Sequence, residues 1–412
     1  MNDLELYTKI LGIKSPWHVT DVNLELQKRT VTINIEYDKK MPMVCPICLG
    51  SADTYDHQKR RWRHLDTCQF KTIIECDVPR AKCDDHGVKQ LKVPWAEQNS
   101  RFTALFETLV INWLKVASIK SVSNLLGLSW DQVNGIQQRA VRRGLKRRQV
   151  KSSKHLGIDE TSFQKRHEYV TVIIDQDQGI VLDVLDDRKS ETLKNWFENK
   201  PKHHLRKIET VSMDMWDPYI SAVEKVVPDA NEKICFDRYH VAQHFAKALD
   251  KVRAQEHRSF LKNDGISPLT GTRYDWQRNS SKIDNRTRRD FIEISKACLK
   301  TARAWAIKET ASRLWDYIYR ASAEKAWRQL LGWISRCRLN PVKRVGRMIK
   351  KYLWGIINAI LANVTNAISE AKNARIQWLK KMACGFRNRD RFRSAILFHF
   401  GGLSMMPGGV KY

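Results

Sequence analysis

No run of about 18 apolar residues occurs in this 412-residue chain, so a membrane-spanning helix is not expected. The first residues, MNDLELYTKILG, lack a basic region followed by an apolar one, so export is not expected. Nor is there a single basic amphipathic helix of the kind that lies on a membrane surface. A cytoplasmic protein without a membrane partner is the expectation. Acid is scarce: 45 Asp and Glu stand against 73 Lys and Arg, a net charge of +28. Such an excess, spread through folded-looking segments, points to a polyanionic partner. The nine cysteines are an odd number, and reduced thiols are expected rather than a disulfide framework. A chain this long needs no such staples, and its length suggests roughly two to four domains.

Four regions follow from the patterning. Over residues 1–98, VNLELQ and TVTINIEY alternate apolar and polar residues as half-buried strands do. Cys45 and Cys48 lie in a tight CPIC turn, and Cys83 and His86 repeat the two-residue spacing 35 positions later. Two such turns facing each other supply four tetrahedral ligands to one zinc ion, with a hairpin between them as in a zinc ribbon. His64, Cys68 or Cys76 could replace one ligand, and the alternative is buried free thiols with a surface histidine. The basic runs at 59–63 and at Arg80 and Lys82 suit phosphate contacts or a solvated face equally.

Residues 99–150 read as wholly helical. A helix ends at Gly127 and Ser129 can cap the next, whose apolar stripe is Val133, Ile136 and Val141. Helix, short glycine turn, helix is the helix-turn-helix pattern, although an ordinary helical hairpin looks the same. Trp130, Gln132 and Asn134 fall early in the second helix, where base-reading residues sit, and Arg142 and Arg143 begin its basic end.

Residues 151–258 change period. Three short β-rich runs precede helix, strand, helix, strand and a long helix. The order β-β-β-α-β-α-β-α is that of the ribonuclease H-like fold, a multidomain α+β chain being the class overall. In this order the ends of the first and fourth strands lie side by side, which brings Asp159 next to Asp214. Glu160 would point to the other face of the first strand. Asp237 and His240 form a D-x-x-H element at the next strand end; the histidine suits a phosphate, a helix start or a satisfied core position. Residues 259–355 read as an all-α insertion, and 356–412 as the closing helical segment of the core. In that segment Asn366, Glu370 and Asn373 share one helix face, which is either a solvated face or the third corner of a site. Most of the 14 tryptophans are expected in cores, though a few, Trp216 among them, suit stacking on unpaired bases. Converging carboxylates in so basic a protein need cations, and two Mg²⁺ (or Mn²⁺) ions about 3.5–4 Å apart are what phosphodiester chemistry uses.

HLGIDE, VSMDMWDPY, CFDRYHV, TNAISEAKN with GFRN, and the tail FHFGGLSMMPGG resemble transposases of the ISL-three family of bacterial insertion sequences. CPIC with CDDHGV and the stretch VPWAEQNSRFTALFE resemble a subgroup of it, and the motifs come in the family order along nearly the whole chain. The resemblance implies a DDE triad of Asp159, Asp214 and Glu370 on a ribonuclease H-like core interrupted by a helical insertion. It implies that Asp237 and His240 are the D-x-x-H signature and that Cys45, Cys48, Cys83 and His86 bind one structural zinc. Ala371 stands where the family often has glycine, and alanine is equally compatible with a helix. The expected function is DNA transposition. The N-terminal modules bind the terminal inverted repeats of double-stranded DNA, and water attack frees a 3′-hydroxyl that then joins target DNA. Pairing two ends implies a dimer or higher oligomer on the nucleoid. A non-catalytic zinc-ribbon and helix-turn-helix regulator leaves the residues after 148 without a purpose. A structure-selective nuclease shares the metal site but needs no DNA-reading module.

Overall fold

In the computed structural model, residues 2–149, 151–164, 168–278, 285–363 and 367–408 are described, with backbone alone at 285–290. They form two compact units, Met1–Gln149 with Gly402–Tyr412, and Val150–Gly401.

The first unit starts with α1 (Asp3–Leu11) and a five-stranded mixed sheet. Strands β1 (Trp17–Glu25), β2 (Thr30–Tyr37), β4 (Lys71–Cys83) and β3 (Asp53–Arg63) lie in that order, and β5 (Gly87–Gln90) also pairs with β4. On β2 alternate residues Val31, Ile33 and Ile35 are buried, as the period of two requires. They pack with Ile74 and Val78, and each such side chain contributes about 1.5–3 kcal/mol on burial. Trp17 and Trp62 both meet Trp95 edge-on. Three helices follow: α2 (Ala104–Leu114), α3 (Ile119–Leu126) and α4 (Trp130–Arg147). Gly127 ends α3 with φ 62°, a left-handed turn open to glycine at no steric cost. Ser129 then opens α4 with a complete capping box, its partner being Gln132.

The second unit holds a sheet in the order β10-β9-β6-β7-β8. Strands β6 (His155–Gln164), β7 (Glu168–Asp175) and β8 (Ile180–Leu185) form an antiparallel meander. Strand β9 (Thr210–Met213) joins β6 in parallel and β10 (Ile234–Phe236) joins β9 in parallel. Most of β7 is buried, as in a sheet covered on both faces. Leu193 and Phe197 of α5 (Ser190–Glu198), with Tyr219 and Val223 of α7 (Asp217–Val226), share a core with Ile158 and Ile173. The short helices α6 (Lys202–Arg206) and α8 (Ala230–Lys233) complete the crossovers. On the opposite face, α15 (Ala367–Met382) packs on β6 and α16 (Arg389–Phe400) on β8.

Between them runs a helical series: α9 (Arg238–Asp264), α10 (Arg273–Gln277), α11 (Asn285–Ala297), α12 (Leu299–Arg313), α13 (Arg320–Arg336) and α14 (Asn340–Ala362). The expected boundaries at 258/259 and 355/356 fall inside α9 and α14. Helix α14 is tied to the sheet there: Asn358 donates to the carbonyl of Ile234 at 3.0 Å, and a Cβ on Gly355 would stand 2.5 Å from the Phe236 ring. Likewise the tail after 401 belongs with the first unit, where Arg147 donates to the Ser404 carbonyl at 3.4 Å. Trp62, Trp276 and Trp327 are fully buried, whereas Trp113, Trp216, Trp333 and Trp378 reach the surface. No helix among the described residues is long and apolar enough to cross a membrane.

Candidate metal centre, DNA-reading helix and active site

The two knuckles of the first unit meet. The amide of Cys45 donates to the Gly50 carbonyl and that of Leu49 to the Cys45 carbonyl, closing the first turn. The second turn is the β4–β5 hairpin, in which Cys83 pairs with Gly87 and Gly87 takes φ 64°. Cys45 Sγ lies 3.8 Å from His86 Nδ1, Cys48 Sγ 3.8 Å from Cys83 Sγ, and Cys83 Sγ 3.5 Å from His86 Nδ1. A tetrahedron with zinc–sulfur bonds of about 2.3 Å has edges of about 3.8 Å. The donor set and its spacing therefore fit zinc. The backbone amides of Cys48 and Ile47 lower the Cys45 thiol to about 6, favouring the thiolate that a metal needs. None of the three substitute ligands takes part. His64 is buried against the Thr103 hydroxyl at 2.9 Å, Cys76 is a core thiol that burial pushes up to about 12, and Cys68 is exposed on a tight turn.

On α4 the expected base readers separate. Trp130 is half-buried, and Gln132 is exposed with its side-chain oxygen accepting from the Ser129 amide at 2.8 Å. Asn134 is buried and faces the helical core instead of solvent. Arg143 is buried too, with Nη2 2.6 Å from Glu97 and 2.9 Å from Glu107. Glu107 is 1% exposed and also receives Arg139 at 2.6 Å and the Ser100 hydroxyl at 2.9 Å. Arg143 thus neutralises a buried carboxylate that would otherwise be very costly. Arg142 is exposed, in line with exposed Lys146 and half-buried Gln138 on the outer face.

In the second unit, β6 and β9 run level. His155 pairs with Thr210 and Gly157 with Ser212, so Asp159 and Asp214 each lie two residues beyond the last pair. Asp159 Oδ2 accepts from Asn373 Nδ2 at 2.6 Å and its Oδ1 from the Glu160 amide at 2.7 Å. Burial, with Asp237 and Asp214 adding to it, raises the Asp159 carboxyl to about 6. Asp214 Oδ1 lies 3.2 Å from His240 Nδ1. Burial works against the Asp214 charge, yet the histidine holds its carboxyl below the usual range, and His240 itself is raised to about 9 by that carboxylate. Asp237 caps α9 through the Tyr239 amide at 2.9 Å and stands 3.8 Å from His240. Glu160 turns to the α7 face, 3.4 Å from Arg188. The Arg188 guanidinium lies 5.1 Å from the centre of the Trp216 ring.

Glu370 is an exposed residue in the first turn of α15, and burial and Asp237 raise its carboxyl. Asn366 lies outside the described residues. Among the described residues, only Cys45, Cys48, Cys83 and His86 draw three or more donors close enough to share an ion. The three carboxylates form a looser arrangement around His240. What fixes α15 was not anticipated from the sequence. Ser369 lies against Gly157, where an added Cβ would stand 2.4 Å from the Ser369 hydroxyl. Asn373 reaches Asp159, Gln377 donates to the Thr161 hydroxyl at 2.6 Å, and Lys380 to the Ser162 carbonyl at 2.8 Å. The contacts advance along helix and strand together, since 11 helical and five strand residues both span about 16 Å. The only sequence signal was the spacing of Ser369, Asn373, Gln377 and Lys380 along one stripe.

Comparison with known proteins agrees region by region. A family model described as "Transposase" matches residues 156–396, more than half of the chain. One for the helix-turn-helix domain of transposase family ISL3 matches 91–141, and one for the zinc-finger of transposase IS204/IS1001/IS1096/IS1165 matches 41–86. The transposase for insertion sequence element IS1557 from two strains of Mycobacterium tuberculosis is 26% identical over 439 residues, covering 99% of this chain and 98% of the relative. The transposase for IS1001 of Bordetella parapertussis is 24% identical over 380 residues, covering 91% and 92%.

Proposed function

The chain belongs to the ISL3 family of transposases, a DNA-binding family with a zinc ribbon and a helix-turn-helix, and from that premise we propose how its residues cut and join DNA. The β6–β10 sheet with α5, α7, α15 and α16 forms a ribonuclease H-like core, interrupted by a helical insertion that leaves through α9 and returns through α14. Asp159, Asp214 and Glu370 are its DDE triad. The observation that carries this reading is the level pairing of β6 with β9, with α15 laddered onto β6 from Ser369 to Lys380. On that helix Glu370, 156 positions after Asp214 in the chain, would face the strand ends.

The donor set is hard oxygen, and burial, more than the acidic neighbours, raises the Asp159 carboxyl to about 6, so its charged form gains from a cation beside it. Asp159, Asp214 and Glu370 would hold Mg²⁺ or Mn²⁺ there, supplying Lewis acidity for in-line attack at phosphorus. Asn373 orients Asp159 through its Oδ2. His240 keeps Asp214 ionised and, in its charged form, is placed to meet a phosphate oxygen. In the first step a water oxygen bonds to phosphorus, the bond to the 3′-oxygen breaks and the freed 3′-hydroxyl takes up a proton. In the second that hydroxyl oxygen bonds to a target phosphorus, the bond from that phosphorus to the target strand's own 3′-oxygen breaks, and the leaving oxygen takes up a proton as the attacking hydroxyl loses one. The zinc ribbon and α4 read the terminal inverted repeats, with Gln138, Arg142 and Lys146 on the outward stripe. Two ends are held by a dimer or larger assembly.

The test is Glu370→Ala, assayed for binding and nicking of end DNA in Mg²⁺ and in Mn²⁺. Normal binding with nicking slowed at least about a hundredfold, roughly 3 kcal/mol of barrier, is expected. Undiminished nicking removes Glu370 from the site.

A further inference from the structure

Helix α9 carries a second chemistry beyond the strand end. His240, beside Asp214, is followed at helical spacing by His244, Lys247 and Lys251, one stripe along the same face. From His244 on, this stripe forms one wall of a cleft of about 460 Å³ between α9 and α14, whose other wall carries Arg344. Val345 and Met348 line its floor. Lys247, Lys251 and Arg344 are exposed, and among the described residues none of them is ion-paired with a carboxylate. Lys247 only donates to Gln243 on its own helix, at 2.6 Å.

We propose that the α9–α14 cleft binds the phosphodiester backbone of DNA adjoining the scissile phosphate. The inference rests on the reading of Asp214 as a catalytic residue, because that is where the stripe begins. Three cations converging on one cleft repel each other, and a polyanion threaded between them removes that cost. The stripe from His240 to Lys251 is about 16 Å long, the axial rise of about five nucleotides in one strand of a duplex. Lysines and an arginine meeting backbone carry no base preference, so the cleft positions the strand while sequence is read elsewhere.

The experiment uses the full chain with Asp159→Asn to block cleavage. The probe is a duplex bearing the element end and extending ten base pairs past the cleavage point. Lys247→Ala, Lys251→Ala and Arg344→Ala are combined, and affinity is measured from low to moderate salt. The log–log salt slope should fall by about 2 to 3, at about 0.9 for each lost phosphate contact. Lys202→Ala, Lys207→Ala and Lys225→Ala, exposed lysines elsewhere on the same unit, are the control and should leave the slope in place. An unchanged slope in the cleft variant, or an equal fall in the control, overturns the proposal. Nicking by Asp159→Asn itself would instead overturn the catalytic reading, which separates the two failures.

Discussion

Arg143 and Asn134 lie in α4, whose first part falls in the matched helix-turn-helix domain, and both turn inward. Polarity in a sequence reports a need for polar partners, not where they are. For Arg143 the partners include Glu107, 36 positions earlier, and no local pattern links the two. His64 is a similar case: buried, paired with the Thr103 hydroxyl, and lowered to about 4 by burial and by nearby Arg63. Unfolded, it takes up a proton near pH 6.5; folded, only near 4. The unfolded chain therefore binds the proton first as pH falls. Stability present above pH 6.5 is lost progressively down to about 4, at most about 3 kcal/mol. Hydrogen exchange at β3 and β4 amides, followed from pH 7 to 4.5, should show this loss in the native protein and a shallower one in His64→Gln. Equal slopes in both would show that His64 does not titrate this way.

Elements were legible where periodicity or paired spacing is local. The alternation in TVTINIEY gave β2, the Ser129 cap gave the start of α4, and the two-residue cysteine and histidine spacings gave both knuckles. The packing of α15 on β6 was not legible, because it joins segments about 200 residues apart through a glycine whose role lies in the absent Cβ. Gly157 makes the ladder testable as a unit. Gly157→Ala forces its Cβ onto the Ser369 hydroxyl and should cost about 1–3 kcal/mol, lifting α15 and with it Glu370. Nicking should fall while end binding persists, and adding Ser369→Ala, which removes the clashing oxygen, should restore part of the rate. Full activity of Gly157→Ala alone would show that α15 need not sit this close.

At the scale of the molecule, the chain builds most of one unit, then the other, and its last segment returns to the first. The sequence placed that segment with the core, since nothing in GGLSMMPGG says which surface it meets. A Cβ on Gly144 of α4 would stand 2.6 Å from Leu403, so the return is a close fit. Zinc belongs to the first unit alone. Cys83→Ser should release the metal, seen by metal analysis, and raise hydrogen exchange over residues 40–95 while the β6–β10 sheet stays protected. Loss of protection throughout both units would mean that they do not fold independently of the metal.

The most direct test of the catalytic site is strand nicking by Asp159→Cys and Asp214→Cys, with element-end DNA, in Mg²⁺ and in Mn²⁺. A thiolate is a poor ligand for hard Mg²⁺ and a better one for Mn²⁺. The expected result is that both variants bind DNA normally, neither nicks in Mg²⁺, and at least one regains nicking in Mn²⁺. Nicking in Mg²⁺ at the native rate by either variant would contradict the assignment of these carboxylates as the metal-holding residues.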